Sequence, residues 1–255
     1  MNRLNNLYSP QKKRRNREVL GIIGAMDKEI QDLLQDMTEI QEQQTGYARY
    51  YVGTLHGLHL CLARCGIGKV HAALCAQGML LTHPEIKAIL NIGVAGALRP
   101  SLNIGDIVVA RSAVQHDMDT TPIGDPLGMI SGPDIVHIPC DEGLAALLQT
   151  AADEAGLRTE HAAVATGDQF IVGTEKKAFL SDTFNAAACD MEGGAIAQCC
   201  YEMGVPYAAI RAISDTRDGD GREYMEKALI ACGQEQKLVR RFLPLYTEWE
   251  EKQHG

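Results

Sequence analysis

The stretch Val19–Ile30 reads VLGIIGAMDKEI, and its two halves predict different secondary structures. The first half is an apolar run of the kind found in buried strands, whereas apolar residues recur at helical spacing from Asp27 onward. A buried strand that turns directly into a helix is the repeating unit of α/β folds. Such folds often bind an anion at the helix N-terminus, so the carboxylates of Asp27 and Glu29 at this point need an explanation.

The same alternation of strand and helix continues along the chain. Strands are predicted at or within 18–25, 48–55, 58–65, 87–98, 106–115, 161–171, 185–204 and 206–221. Helices are predicted at 27–38, 66–83 and 142–156, in the second part of 185–204, and from about Arg222 to the C-terminus. This pattern predicts a single α/β domain with a central, mostly parallel mixed sheet flanked by helices.

Size and charge restrict the possible functions. The 255 residues are 45% hydrophobic, which is enough for one sizeable core. The 24 basic and 33 acidic residues give a net charge of −9, which argues against nucleic acid as a partner and favours small molecules or proteins. No apolar run approaches the roughly 18 residues of a membrane span, so no membrane partner is expected. Residues 1–17 contain a basic cluster without the apolar segment of a signal peptide, and we expect a disordered basic tail.

The eight cysteines include no C-x-x-C pair, and several lie in apolar surroundings. This distribution predicts reduced core thiols in a cytoplasmic protein. Candidate zinc ligands cluster at His56, His59, Cys61 and Cys65. However, the alternation around them is typical of a strand, and the ligand spacing of structural zinc sites is missing. We therefore expect neither a metal nor a cofactor.

The ends of the predicted strands carry an unusual number of acidic residues. The exits read GAMDKE, NIGVAGA, TGDQFI, CDMEGG and AISDTRD, and four of the five contain a carboxylate. The residues concerned include Glu29, Asp168, Glu192 and Asp215. Each alone is explained by a turn or a helix cap, and a turn is the simplest explanation of Asp168. Because strand exits meet at one edge of a parallel sheet, Glu29, Glu192 and Asp215 together favour a catalytic site.

Two glycine-rich stretches were considered as ligand loops. CGIGKV lacks the frame of a P-loop, so a tight strand-to-helix turn is the better interpretation. GVAGA either forms a bare backbone wall against a ligand or a close-packed turn, and its spacing does not separate the two.

Seven motifs occur together in a known order: GIIGAMDKEI, CGIGKVHAA, NIGVAGAL, GDIVVA, TGDQFI, DMEGGAIA and VPYAAIRAISD. They resemble the bacterial 5′-methylthioadenosine/S-adenosylhomocysteine nucleosidases of the nucleoside phosphorylase-like superfamily. The resemblance extends from about Val19 to the C-terminal helix and implies one nucleoside hydrolase domain over residues 18–250. It implies a homodimeric enzyme of nucleoside catabolism and methionine salvage that releases adenine and a 5-thio-substituted ribose.

The resemblance also implies roles for individual residues. Glu29 corresponds to the carboxylate that activates water, and Asp215 to the acid that protonates adenine N7. Substrate contacts are implied for Met26, Ala95, Gly96, Phe170, Ile171, Asp190, Met191, Glu192 and Ser214. The loop around 116–126 is expected to reach a neighbouring subunit's site. Three departures from the family pattern, Val94, Asp190 and Arg217, leave the preferred 5′-substituent open.

The chemistry fits carboxylates at these places. Cleavage of an N-glycosidic bond passes through a cationic sugar, and adenine leaves well only when it is protonated. An ionised Glu29 can deprotonate water but would repel phosphate, so hydrolysis is expected rather than phosphorolysis. The alternative hypotheses are a hydrolase of another purine nucleoside such as futalosine, then a nucleoside phosphorylase. A non-catalytic nucleoside-binding or storage protein is the last of them.

Overall fold

The computed structural model describes residues 19–219 and 221–254, so the predicted tail at residues 1–17 lies outside the described residues. The strands are β1 Val19–Gly24, β2 Thr38–Thr45, β3 Ala48–Leu55, β4 Leu58–Arg64, β5 Ile86–Asn91, β6 Val94–Ala97, β7 Ile107–Gln115, β8 Ile138–Pro139, β9 Thr159–Thr166, β10 Ala186–Asp190 and β11 Tyr207–Asp215. The helices are α1 Asp27–Asp36, α2 Lys69–Thr82, α3 Glu142–Glu154, α4 Thr174–Phe184, α5 Gly193–Met203 and α6 Gly221–His254, with a 3-10 turn at Thr121–Ile123.

The strands form one mixed sheet with helices on its faces. The strand order is β2-β3-β4-β1-β5-β11-β6-β10-β9-β7-β8, and β11 also pairs with β7. Six of the eleven strand pairings among the described residues are parallel. The predicted fold class, a single α/β domain with a mostly parallel mixed sheet, is therefore confirmed.

Strand β11 joins two parts of the sheet. Its first residues, Tyr207–Ala209, pair with β5, and its last residues, Ala212–Asp215, pair with β6. Between them it pairs with β7, which closes β11, β6, β10, β9 and β7 into a ring. The alanines of β9 and β10 are buried inside this region, where small side chains let the strands and the helices approach closely. The parallel strands of the sheet thus end at one common edge.

Two elements were not predicted, and one predicted strand is interrupted. β2 is exposed along its whole length, so its polar sequence lacks the alternation that indicates a half-buried strand. Helix α4 follows the third strand exit, TGDQFI, in a segment for which no element was predicted. The strand predicted at 87–98 consists of β5 and β6, which are separated by the short connection that contains Gly93.

Other predictions of local structure are confirmed. The strands predicted at 48–55 and 58–65 are β3 and β4, and they form a hairpin whose turn residues His56 and Gly57 both have positive φ. All eight cysteines are buried and free, as expected for core thiols. Among the helices of residues 19–219 and 221–254, none combines the length and the apolar character needed to cross a membrane.

Candidate active site

A cavity lies at the edge of the sheet where β1, β9, β10 and β11 end. All eleven residues predicted for the site line it: Met26, Glu29, Ala95, Gly96, Phe170, Ile171, Asp190, Met191, Glu192, Ser214 and Asp215. Further lining residues come from the same strand exits and from the starts of α2 and α6: Ala25, Ile67, Val94, Gln169, Cys189 and Tyr224. The fold therefore assembles the three predicted carboxylates, Glu29, Glu192 and Asp215, around one space.

Glu29 is buried in the first turn of α1 and receives three backbone hydrogen bonds. Its Oε2 accepts from the N–H groups of Ala25 and Met26, both at 2.8 Å. Its Oε1 accepts from the N–H of Val94 at 3.1 Å. The side chain thus satisfies amides at the start of its own helix and also reaches the β5–β6 connection. A Cβ on Gly93 would lie 3.3 Å from Oε1, so glycine leaves room for this carboxylate.

The surroundings of Glu29 make it a stronger base than an exposed glutamate. Burial raises the pKa of the Glu29 carboxyl, and hydrogen bonds from Met26 and Val94 together with the charge of Arg211 oppose that rise. The hydrogen bonds stabilise the ionised form, which is the form that can take a proton from water. A general base is most effective when its pKa lies near the working pH, so this direction of the shift suits the role.

Asp215 ends β11 and is held on both sides. The Ser214 hydroxyl lies 3.0 Å from its Oδ1, and Lys177 Nζ donates to its Oδ2 at 2.8 Å. Lys177 belongs to α4 and is fully buried. A Cβ on Gly96 would lie 2.9 Å from Asp215 Oδ2, closer than real Cβ atoms approach. Gly93 and Gly96 of GVAGA therefore leave room for the carboxylates of Glu29 and Asp215. This role could not be predicted from the sequence alone.

Glu192 is positioned by the turn that precedes α2. Its Oε1 accepts from the N–H of Gly68 at 2.8 Å, although Glu192 is itself the N-cap residue of α5 and makes no capping hydrogen bond there. Gly66 and Gly68 both have positive φ, so CGIGKV is the tight turn that was predicted. Burial and the neighbouring charge of Asp190 raise the pKa of Glu192 to about 8. A carboxyl group of this kind can exchange hydrogen bonds with sugar hydroxyls.

Asp190 also borders the cavity, but its carboxylate is engaged by buried partners. Oδ1 accepts from the Thr166 hydroxyl, and Oδ2 accepts from the Gly193 N–H at 3.0 Å and from Arg211 Nε at 2.8 Å. Arg211 donates in addition to the backbone oxygen of Asn91. This buried ion pair places one guanidinium charge behind Glu29 and Glu192, where it favours the ionised form of both.

The open side of the cavity carries aromatic and apolar side chains. Phe170 is 48% exposed and contacts the ring of Tyr224 edge to face, with 5.3 Å between the ring centroids. The Tyr224 hydroxyl lies 3.4 Å from Met26 Sδ and accepts a hydrogen bond from Lys28 Nζ at 3.1 Å. An exposed aromatic ring beside the cavity offers a surface on which a planar base can stack.

Two acidic residues from the strand exits are not among the described residues that line the cavity. Asp168 Oδ1 accepts from the backbone N–H of Lys69 at 2.8 Å, at the start of α2. Asp27 is exposed and forms an ion pair with Arg64. Asp168 lies in a bend after β9, as expected for a turn residue, and its hydrogen bond joins this bend to α2. Asp27 lies in the first turn of α1.

Three residues of the site were not predicted from the sequence: Lys177, Arg211 and Tyr224. Lys177 had a detectable signal, because it shares the buried face of α4 with Leu180 and Phe184 at helical spacing. A lysine on an apolar face needs a buried partner. Tyr224 had no comparable signal.

Three comparisons with known proteins agree with this geometry. Residues 19–244 match the family described as the phosphorylase superfamily. A 5′-methylthioadenosine/S-adenosylhomocysteine nucleosidase from Shewanella loihica is 34% identical over 221 residues, which cover 86% of this chain and 96% of that protein. An aminodeoxyfutalosine nucleosidase from Campylobacter jejuni is 38% identical over 205 residues, which cover 80% of this chain and 88% of that protein.

A solved structure extends the comparison to the whole fold. The 5′-methylthioadenosine/S-adenosylhomocysteine nucleosidase of Helicobacter pylori superposes with a TM-score of 0.85 at 32% identity, covering 89% of this chain and 98% of that one. Its bound ligand joins an aminopyrrolopyrimidine base to a pyrrolidinol ring that carries a propynylthiomethyl group.

Proposed function

This chain belongs to the phosphorylase superfamily, and we propose that it uses water rather than phosphate to cleave the N-glycosidic bond of 5′-methylthioadenosine and S-adenosylhomocysteine. The products are adenine and a 5-thio-substituted ribose. The nucleosidases named among its relatives carry out the same class of reaction, N-glycosidic hydrolysis.

The charge of the cavity lining carries this proposal. Among the described residues that line the cavity, four are carboxylic acids and none is lysine, arginine or histidine. Two like charges about 4 Å apart repel each other by about 4 kcal/mol at an effective dielectric constant of about 20, so an ionised Glu29 disfavours phosphate. A developing positive charge on the sugar is stabilised by the same carboxylates.

Each predicted residue has a place in the proposed mechanism. Asp215 donates a proton to adenine N7, and Glu29 takes a proton from the attacking water. Glu192 binds ribose hydroxyls, and its ionised form, which the charge of Arg211 favours, stabilises the cationic sugar. Phe170 stacks on adenine, and the Ile171 backbone reads the edge of the base. The remaining contacts are assigned to Met26 and Met191 beside the ribose, to Ala95, Gly96 and Ser214 in the wall, and to Asp190 behind it.

A second substrate class is a purine nucleoside with a larger 5′-substituent. The Campylobacter jejuni relative, named for aminodeoxyfutalosine, is 38% identical to this chain. Its name makes aminodeoxyfutalosine the alternative substrate to test beside the two thio-substituted nucleosides.

We propose that the enzyme is a homodimer. One face of α2 exposes apolar side chains, Val70, Leu74 and Leu81, and Ile123 in the loop at 116–126 is 81% exposed. Exposed apolar side chains of this kind are typical of protein interfaces, and this loop is expected to complete the 5′ end of the partner's cavity. The free cysteines support a reducing compartment, and we assign the enzyme to the cytoplasm and to methionine salvage.

Chromatography of the products tests the function directly. Purified protein should release adenine and free methylthioribose from methylthioadenosine at the same rate with and without phosphate. An apolar 5′ pocket should favour methylthioadenosine over adenosine by about 10- to 200-fold in kcat/KM. Formation of methylthioribose-1-phosphate would instead identify a phosphorylase. A higher kcat/KM for aminodeoxyfutalosine would select the second substrate class, and leaving all of these nucleosides intact would point to a binding protein.

A further inference from the structure

We propose that Lys177 and Asp215 share the proton that is delivered to the leaving base, so that the acid is the buried pair and not Asp215 alone. This inference rests on the proposed function, because it concerns how the departing purine is protonated. Lys177 acts through Asp215 and is therefore a positioning residue that also stores a proton.

The contacts fix Lys177 against the acid. Its Nζ donates to Asp215 Oδ2 at 2.8 Å and to the backbone oxygen of Thr216 at 2.7 Å. Thr216 is itself held, because its N–H and its hydroxyl both donate to Glu223 Oε2 at 2.9 Å. Lys177 has no exposed surface, and the side chain of Asp215 is 4% exposed. The amine is thus directed at the one carboxylate that the mechanism requires in its protonated form.

An ordinary ion pair at this place would conflict with the proposed chemistry. An ammonium group at hydrogen-bond distance favours the carboxylate form of its partner, yet protonation of N7 needs a proton on Asp215. Burial penalises both charges, which brings the neutral amine–carboxylic acid pair closer in free energy to the ionic pair. A single proton can then move along the 2.8 Å hydrogen bond between Nζ and Oδ2.

The groups around Lys177 and Asp215 keep this proton on one or the other of these two side chains. The titratable side chain that faces them from β10 is Cys189, and burial raises the pKa of its thiol to about 12, so it stays neutral. Ser214 on β11 faces Oδ1 with a hydroxyl, and the adjoining loop presents the Thr216 carbonyl to Nζ.

The proton balance is simple. The Nζ–H bond breaks and an O–H bond forms at Oδ2, which leaves Lys177 as a neutral amine. That O–H bond then breaks as an N–H bond forms at N7, and its electron pair stays on the carboxylate. The electron pair of the glycosidic bond leaves with the neutral purine, and water supplies the new bond to the sugar carbon. Lys177 regains a proton from the water that Glu29 has deprotonated, by way of the solvent.

Replacement of Lys177 by arginine tests the positive charge of the side chain separately from its ability to release a proton. A guanidinium group stays protonated throughout the usable pH range, so Lys177→Arg keeps the cation but cannot release the proton. Lys177→Met removes both, and Asp215→Asn gives the reference pattern for a lost acid. Lys87→Met, on the exposed side of β5, controls for the loss of a lysine elsewhere. Each variant is assayed with methylthioadenosine and with a 4-nitrophenyl glycoside of methylthioribose, whose leaving group needs no proton.

With methylthioadenosine we expect kcat of Lys177→Arg to fall by about 100-fold or more with little change in KM. Lys177→Met, which removes the cation that favours the carboxylate form of Asp215, should keep more activity than Lys177→Arg. Turnover of the nitrophenyl substrate should be retained, as in Asp215→Asn. Near-native turnover of methylthioadenosine by Lys177→Arg, or equal losses of Lys177→Arg on both substrates, would overturn the shared proton. A wild-type enzyme that releases no adenine would overturn the proposed function as well.

Discussion

Replacement of Glu29 by glutamine tests the proposed base with little change of shape. In the wild type, Oε2 accepts two backbone hydrogen bonds and Oε1 accepts one. The amide oxygen of Glu29→Gln can take the place of Oε2 and keep the bonds from Ala25 and Met26. Its NH₂ group then faces the N–H of Val94, so one hydrogen bond is lost and two donors meet.

The structure predicts a large loss of activity and a modest change in stability. A positioned general base contributes about 10²- to 10⁴-fold to the rate, which corresponds to about 3–5 kcal/mol of barrier. The lost charge-assisted hydrogen bond costs about 1.5–3 kcal/mol of stability. Glu29→Gln also removes a buried charge whose ionised form burial disfavours, and this gain offsets part of that cost. We therefore expect kcat to fall much more than the free energy of unfolding.

The assay is the rate of adenine release as a function of pH, beside thermal unfolding with and without a bound adenine nucleoside analogue. Because the pKa of Glu29 is raised, the acidic limb of the wild-type kcat/KM profile should have an apparent pKa above 4.5, the ordinary value for glutamate. Activity should fall as the pH falls through that limb, since protonated Glu29 cannot accept a proton. The limb should be absent from the residual activity of Glu29→Gln.

The control variant is Glu202→Gln, an exposed glutamate near the end of α5, which should leave both kcat and thermal unfolding unchanged. A Glu29→Gln enzyme with a near-native kcat would refute the role of base. A variant that fails to bind the analogue and unfolds at a much lower temperature would show that Glu29 mainly holds the start of α1.

Three other substitutions test neighbouring features. Asp190→Asn leaves Arg211 as a buried charge without its partner, so the free energy of unfolding should fall by about 3–5 kcal/mol. A loss below about 1 kcal/mol in a urea titration would contradict this prediction. Glu235 is fully buried, and burial raises its pKa well above 4.5 although the Gly93 backbone opposes the rise. The folded state therefore keeps a proton that the unfolded state loses, and wild-type stability should decrease as the pH rises above about 4.5. Glu235→Gln should flatten this decrease in thermal scans from pH 5 to 9, and parallel curves would exclude the effect. Tyr224→Phe removes the hydroxyl beside Met26 but keeps the ring, so KM should rise by about 2- to 10-fold at constant kcat, as expected for one hydrogen bond.

The predictable part of the site follows from the topology of parallel sheets. Glu29, Glu192 and Asp215 are far apart in the sequence, but each follows a buried strand. Parallel strands end at one edge, so alternation of strands and helices is enough to bring such residues together. For the same reason all eleven predicted residues line one cavity.

The parts that were not predicted depend on contacts between distant elements. Lys177 reaches Asp215 because α4 packs against β10 and β9, and no local pattern encodes that packing. The pairing of β7 with β11 that closes the ring is likewise non-local. Asp190 stands where a Glu is frequent in the family that the sequence resembles. Its ion pair with Arg211 could not be predicted from either residue alone. Local periodicity indicates that a position is buried, but it does not indicate which other residue contacts it there.

The position of Glu29 also explains how a member of the phosphorylase superfamily can exclude phosphate. Backbone N–H groups at the start of a helix form a ready site for an anion. Here the amides of Ala25 and Met26, just before and at the start of α1, are occupied by Glu29 Oε2, and Val94 binds Oε1. A carboxylate of the chain itself thus takes the place that an inorganic anion could hold. The same carboxylate is placed to accept a proton from water. The backbone amides that could have bound phosphate therefore hold the base that activates water.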